Sequence, residues 1–138
     1  MSETEIKEIY DARGNLIIRC WYKDGKLHRE DGPAWIEYDE NGKVIEERWY
    51  QMGRLHREDG PAIIKYFLNG KVKREVWYKN DFLHREDGPA WTEYDIHGEI
   101  VEESYYINGT KLSEKLFAQY TRLNNTIKGH QKRHKISL

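Results

Sequence analysis

The chain repeats itself every 28 residues, and this period constrains its fold more than any other feature of the sequence. The octapeptide Leu-His-Arg-Glu-Asp-Gly-Pro-Ala fills residues 27–34, 55–62 and 83–90 without one change. Residues outside the octapeptide keep the same spacing, among them the tyrosines at 10, 38, 66 and 94 and the glycines at 14, 42, 70 and 98. A fixed period of this length predicts an array of similar structural units, here three full units between two partial ones.

Each unit is predicted to be a β-hairpin. Two β-rich runs flank a turn that holds glycine in every copy, as in the Asn-Gly pair at 41 and 42, which is the strongest short-range hairpin signal. A second corner follows at residues 23–26, 51–54, 79–82 and 107–110. The strands are expected at about 4–10, 15–23, 33–39, 43–51, 62–67, 71–79, 90–95 and 99–107. The predicted fold is mostly β, an elongated single antiparallel meander sheet of hairpin repeats.

Aromatic residues recur at the same place in successive units and are candidates for partner binding. Because side chains alternate between the faces of a strand, a tryptophan row is expected on one face and a tyrosine row on the other. Half-exposed aromatic rows are typical of protein interfaces. The candidate partner-binding residues are Trp21, Trp49, Trp77, Tyr22, Tyr50 and Tyr78.

The octapeptide joins the second strand of one unit to the first strand of the next. Its Gly-Pro pair suits this junction, because proline lacks a ladder donor and is best tolerated at the first residue of a strand. Two interpretations remain open: a structural junction, in which arginine pairs with a nearby acid, or a charged edge that projects from the sheet and binds a partner or an anion. The candidate edge residues are His28, Arg29, His56, Arg57, His84 and Arg85.

The hydrophobic period changes after the last hairpin. Residues 113–124 place Leu116, Phe117, Tyr120 and Leu123 on one helical face, with Ser113 as a potential N-cap, so a short helix is predicted to cap the sheet of residues 1–112. Residues 125–138 form a basic segment without acids and are predicted to be a disordered tail.

Motifs that carry chemistry are missing from the sequence. The chain has no glycine-rich phosphate loop, no cysteine pair and no nucleophile elbow, and the His130 and His134 pair in the tail is a weak metal signal. No catalytic residue, metal site or cofactor is therefore predicted, and enzyme activity is not expected. The acidic N-terminus lacks the features of a signal peptide, and no apolar run is long enough for a membrane span, so a cytoplasmic protein without a membrane partner is expected.

The repeat resembles a known group of sequences. The stretch WYKDGKLHREDGPAWIEYDENGKV and the ending YYINGTKLSEKLF resemble hairpin repeats of hypothetical proteins from bacteriophages and giant viruses, over about residues 8–117. The repeat is also similar, more distantly, to MORN repeats, although HREDGPA replaces their His-Gly-x-Gly stretch, so lipid binding is not implied. The phage resemblance implies a small accessory protein that acts in the cytoplasm of an infected bacterium.

These observations favour a protein-binding repeat module that inhibits or sequesters a host or defence factor. The alternative is a binder of a small ligand, a nucleotide or a nucleic acid through the repeated Arg/His edge. Nucleic acid is expected only through the basic tail, because the rest of the chain is mildly acidic and would repel a polyanion.

Overall fold

The computed structural model describes the backbone of residues 3–136 and the side chains of residues 3–130. This part of the chain forms fourteen strands and one helix. In chain order these are β1 (Thr4–Tyr10), β2 (Leu16–Lys23), β3 (Lys26–Leu27), β4 (Trp35–Tyr38), β5 (Val44–Arg48), β6 (Tyr50–Gln51), β7 (Arg54–Leu55), β8 (Ile63–Tyr66), β9 (Val72–Val76), β10 (Tyr78–Lys79), β11 (Phe82–Leu83), β12 (Trp91–Tyr94), β13 (Ile100–Ile107), β14 (Thr110–Leu112) and α1 (Glu114–Ile136).

One large antiparallel sheet dominates the fold. Its strand order is β1-β2-β4-β5-β8-β9-β12-β13-β14, with β3 attached to β2, and the pairs β6–β7 and β10–β11 form small hairpins of their own. Strands that are neighbours in the large sheet follow one another along the chain, as expected for a meander. The prediction of a mostly β chain with one antiparallel sheet and a C-terminal helix is confirmed.

Trp49 and Trp77 interrupt strands that were predicted to be continuous over 43–51 and 71–79. The backbone N–H of Trp49 donates to the carbonyl oxygen of Ala62 at 2.7 Å, whereas its own carbonyl accepts from the N–H of His56 at 3.1 Å. Each tryptophan therefore bonds to two different segments instead of one regular ladder. The octapeptide loop begins and ends at this point of the strand.

The second corner of each unit is a tight turn with two consecutive positive φ angles. In the second unit these are 47° at Met52 and 83° at Gly53, and in the third unit they are 47° at Asn80 and 71° at Asp81. Two positive φ angles define the type I′ turn, whose twist matches that of the flanking strands. Asp81 thus adopts the left-handed conformation that glycine supplies elsewhere.

The core is thin and made largely of small side chains. The last residue of every octapeptide is fully buried: Ala34, Ala62 and Ala90 are each 0% exposed. The carbonyl of Ala62 binds Trp49, and its N–H donates to the carbonyl of Val76 at 2.8 Å, so the alanine sits between two strands. A larger side chain would have no room at this position, because interiors are close-packed.

The helix α1 begins as predicted but is much longer than expected. Ser113 caps it by accepting a hydrogen bond from the N–H of Leu116 at 3.1 Å. The helix then continues to Ile136, so the predicted end at 124 and the disordered tail are wrong for residues 125–136. Asparagine costs a helix only about 0.7 kcal/mol relative to alanine, which is too little to end it at 124. Residues 137 and 138 of the predicted tail, like residues 1 and 2, lie outside the described range.

Phe117 fixes α1 to the sheet. It is buried, and its ring lies 4.6 Å from the ring of Tyr105, measured between centroids. Leu116 and Leu123, which were expected to pack on the same face, are 53% and 63% exposed. Within the described range, no helix combines the length and apolar character needed to cross a membrane.

Candidate functional site

The histidines of the three octapeptides lie inside the junctions between units. Their side chains are only 7–12% exposed, so the expectation that they project from an edge of the sheet is wrong. Each Nδ1 accepts a hydrogen bond from a backbone N–H in the second corner of the following unit. The pairs are His28 with Met52 at 3.0 Å, His56 with Asn80 at 3.1 Å and His84 with Asn108 at 2.9 Å.

The other ring nitrogen explains the glutamate of the octapeptide. Because a backbone N–H can only donate, Nδ1 must be the acceptor, and the proton of a neutral ring is then on Nε2. That nitrogen faces Glu30 from His28 at 2.7 Å and Glu58 from His56 at 2.6 Å. The glutamate thus holds the ring in the orientation that ties two units together.

In the third octapeptide, the contact between histidine and glutamate is longer because a lysine of α1 also contacts the glutamate. The distance from Nε2 of His84 to Glu86 is 3.6 Å, and Nζ of Lys128 in α1 lies 3.5 Å from the other carboxylate oxygen of Glu86. A described basic side chain of α1 therefore contacts the octapeptide edge of the sheet.

The arginine of each octapeptide closes its own loop. Its guanidinium stacks on the tryptophan eight residues earlier and donates from Nη1 to the proline carbonyl four residues later. The stacking distances from Cζ to the ring centroid are 4.0 Å for Arg29 on Trp21, 3.8 Å for Arg57 on Trp49 and 4.0 Å for Arg85 on Trp77. The bonds to Pro33, Pro61 and Pro89 measure 3.1, 3.2 and 3.2 Å.

Asp and Gly complete the arginine site. In the third copy Nε of Arg85 lies 2.8 Å from Asp87, and in the second copy Nε of Arg57 lies 3.5 Å from Asp59. A Cβ atom on Gly60 would stand 2.7 Å from Cζ of Arg57, so any other residue here would displace the guanidinium from this position. The arginines thus contact an aromatic ring, a carbonyl and a carboxylate, and Nε of Arg57 is buried without a hydrogen-bond partner among the described residues.

The aromatic rows are half-buried, and the tryptophans are covered. All six candidates, Trp21, Trp49, Trp77, Tyr22, Tyr50 and Tyr78, have intermediate exposure. An arginine lies over each tryptophan of the row, and Nε1 of Trp49 is buried with no hydrogen-bond partner among the described residues. Burial raises the pKa of Tyr78. The tryptophan row therefore supports the junctions and offers little free ring surface.

A second set of tyrosines connects neighbouring units. The hydroxyl of Tyr66 donates to Glu47 in the preceding unit, and that of Tyr94 donates to Glu75 at 2.6 Å. The hydrogen bond to Glu75, with burial, raises the pKa of Tyr94 to about 12, because the carboxylate stabilises the protonated phenol. The sequence showed the tyrosine column but not its partners, which lie 19 residues earlier.

A cleft of about 580 Å³ separates α1 from the octapeptide edge. It is lined by residues 57–59 and 84–87, by residues 77–79 of the sheet, and by Thr121, Asn124, Asn125 and Lys128 of α1. We call this cavity the helix cleft. Its four acids (Glu58, Asp59, Glu86, Asp87) match its four bases (Arg57, Lys79, Arg85, Lys128), so it has no excess charge that would attract an anion.

Along α1, an apolar stripe is open to solvent. Leu116, Leu123 and Ile127 are 53%, 63% and 48% exposed, and with the half-buried Tyr120 they follow a 4-3-4 spacing, which aligns them on one face. We call these four residues the helix stripe. Ile127 was missed from the sequence because the helix was expected to end at 124. Among the described residues, no cluster of three or more His, Cys, Asp or Glu side chains could hold a metal ion, and the side chain of His134 lies outside that range.

Comparisons with known proteins add no relative: no family model matches the chain, and neither a curated protein nor a solved structure matches it. The resemblance to phage hairpin repeats therefore stays a prediction from the quoted residues. The surfaces of the protein are therefore the basis for a functional proposal.

Proposed function

We propose that the chain is a non-enzymatic protein-binding module and that it binds its partner through the helix stripe. The observation that carries this proposal is the exposure of Leu116, Leu123 and Ile127 on a helix whose Phe117 is buried against the sheet. A surface helix normally buries its apolar stripe against its own core. A stripe that is left open, with side chains at 4-3-4 spacing, is the arrangement used when a helix docks into an apolar groove of another protein.

The resemblance of the repeat to phage hairpin repeats extends the proposal to the type of array and to the role of the protein. We propose that the sheet is a MORN-like array of 28-residue hairpin units and that the protein is a phage accessory factor in the host cytoplasm. Its partner would be a host or defence protein that is inhibited or sequestered. The support is the threefold octapeptide, whose residues are used to join units, whereas the stripe of α1 is free to bind.

Binding of a nucleotide or nucleic acid is the alternative, and the geometry supports it less well. Each octapeptide arginine already stacks on a tryptophan and donates to a carbonyl, and the charges of the helix cleft cancel. Two lysines also line the cleft, Lys79 and Lys128, and the second is 62% exposed and pairs with Glu86. A phosphate site built here would lack the converging free donors that such sites use.

The experiment compares two matched variants of the full chain as bait in a bacterial lysate. Leu123→Asp with Ile127→Asp charges the helix stripe, and Leu68→Asp with Ile96→Asp places the same two charges on turns of the sheet, where the side chains are 73% and 53% exposed. We expect wild type and the turn variant to retain the same protein, and the helix variant to lose it while its circular dichroism stays unchanged. Retention by the helix variant would contradict the proposal. Recovery of a nucleotide or nucleic acid that is released as salt rises would favour the alternative.

A further inference from the structure

The last long strand of the sheet has an open edge. β13 pairs with β12 through residues 100–104, and on its other side β14 pairs only with residues 105–107. Ile100 and Val101 are 56% and 65% exposed, and Glu102 and Glu103 are exposed as well. Among the described residues, no strand covers the outer side of 100–104. Such an edge presents unpaired N–H and C=O groups that can accept another strand.

Inside the sheet, the strand equivalent to β13 already has a neighbour on its outer edge. That neighbour shows which side chains suit the edge. β5 occupies the place of β13 two periods earlier, and its outer edge pairs with β8 in the register Glu46 to Lys65, Glu47 to Ile64 and Arg48 to Ile63. Glu102 and Glu103 stand 56 residues after Glu46 and Glu47. The open edge of β13 therefore has the same two consecutive acids as an edge that is already filled.

The side chains of β8 satisfy both acids of β5. Nζ of Lys65 lies 3.3 Å from the buried carboxylate of Glu46, and the hydroxyl of Tyr66 donates to Glu47. The next pair of units repeats the tyrosine contact between Tyr94 and Glu75. An incoming strand that matches the open edge thus needs a base opposite Glu102 and a tyrosine at the next position, to reach Glu103.

Space for such a strand is present. A cavity of about 480 Å³ runs along residues 100–105 and is bounded on the far side by residues 111–114, where β14 ends and α1 begins. The helix therefore leaves the outer side of β13 accessible. The sequence had suggested that the helix would cover this edge.

We propose that the open edge of β13 binds an extended segment of a partner protein, which adds as an antiparallel strand with Lys or Arg opposite Glu102 and tyrosine one residue later. Main-chain hydrogen bonds provide the attachment, and the two acids select the segment. The surface differs from the helix stripe, so this inference goes beyond the proposed function and does not depend on it.

A second copy of this chain fits the edge poorly. In the register of β8, its β1 would place Ile9 opposite Glu102, Glu8 opposite Glu103 and Tyr10 at the position of Tyr66. The tyrosine requirement would thus be met, but the requirement for a base would not. Glu102 would have no base opposite it, and two like charges would face each other directly, which destabilises a cross-strand pair. The charge pattern therefore favours a different protein over head-to-tail assembly.

A labelled peptide with the sequence of residues 59–68, DGPAIIKYFL, tests the inference by fluorescence polarisation with the full chain. We expect it to bind, and Glu102→Lys in the protein to weaken it by about tenfold, because an attractive cross-strand pair becomes repulsive. A peptide that carries Lys65→Glu should bind the Glu102→Lys protein more tightly than it binds the wild-type protein. Glu40→Lys, which makes the same charge change on an exposed turn, is the matched control and should bind like wild type.

Three results would overturn the inference. The first is no binding of the peptide to folded wild-type protein, and the second is equal binding by Glu102→Lys and Glu40→Lys. The third is concentration-dependent self-association of the chain in sedimentation that Glu102→Lys abolishes, which would make a second copy the occupant. Leu123→Asp with Ile127→Asp should bind the peptide normally, so failure of the helix stripe and failure of the open edge are distinguishable.

Discussion

A side chain at Gly60 should destabilise the middle junction because it would collide with Arg57. A Cβ atom there would stand 2.7 Å from Cζ, 2.8 Å from Nε and 3.0 Å from Nη1 of that arginine. Gly60 does not have a left-handed φ angle, so the backbone itself accepts alanine. The destabilisation expected from Gly60→Ala therefore comes entirely from the displaced guanidinium.

The cost can be worked out from what Arg57 would lose. Its stacking on Trp49, at 3.8 Å, is worth about 0.5–2 kcal/mol. Its bond to the carbonyl of Pro61, at 3.2 Å, is worth about 1.5–3 kcal/mol at most, and water at this partly exposed site offsets part of it. Removing a glycine stabilises through the unfolded state by about 0.4–1 kcal/mol. The free energy of unfolding should fall by about 2 kcal/mol.

Urea unfolding of a double-mutant cycle separates this mechanism from a general intolerance of the junction. In the Arg57→Ala background the collision is absent, so Gly60→Ala should be neutral or stabilising by up to about 1 kcal/mol. Gly129→Ala is a control, because no atom lies within 4 Å of its added Cβ and alanine favours a helix. An equal loss of stability in both backgrounds would refute the reasoning.

Two further predictions concern the hydrogen bonds between units. His28→Ala removes the acceptor of the Met52 N–H and should cost about 1 kcal/mol in urea unfolding, whereas His97→Ala on an exposed turn should cost almost nothing; equal effects would contradict the role of Nδ1. Tyr94, with a pKa of about 12 against an ordinary value of 10.0, should contribute stability fully below pH 10 and lose it as the pH rises toward 12. Glu75→Gln should lower that pKa in a phenolate absorbance titration, and an unchanged value would show that Glu75 is not its cause.

The strands and turns were predictable because their signals are local. Glycine recurs in the first turn of every unit, and the second corner allows a positive φ angle even where Asp81 replaces glycine. Period-2 alternation was less informative about the faces, since both faces carry charged and aromatic residues. The tryptophans at 49 and 77 were placed in continuous strands because nothing in their neighbours shows that the backbone changes partner there.

The contacts within the octapeptide could not be predicted because they join segments far apart in the chain. The imidazole of His28 reaches a backbone N–H 24 residues later, and Arg29 stacks on a tryptophan eight residues earlier. Charged residues in a loop suggested an exposed edge, yet contacts with nearby groups allow the histidine to be buried and the arginine to be partly buried, while the acids stay exposed. The predicted end of the helix at residue 124 was wrong for a different reason. Asparagine is a weak stop signal without a following glycine or proline at the right position.

The three identical octapeptides have a structural role, and the surfaces proposed to bind a partner lie elsewhere in the chain. Three residues of the octapeptide have partners within the protein: histidine bonds to the next unit, arginine to tryptophan and proline, and alanine packs in the core. Residues whose hydrogen-bonding and packing partners lie within the protein have few free groups with which to bind a second molecule. At the ends of the array, α1 and the open edge of β13 leave apolar side chains and strand groups exposed, as does β1 at the opposite edge of the sheet. Recognition should therefore depend on where the repeat ends, and charge substitutions at Leu123 or Glu102 should affect binding more than stability.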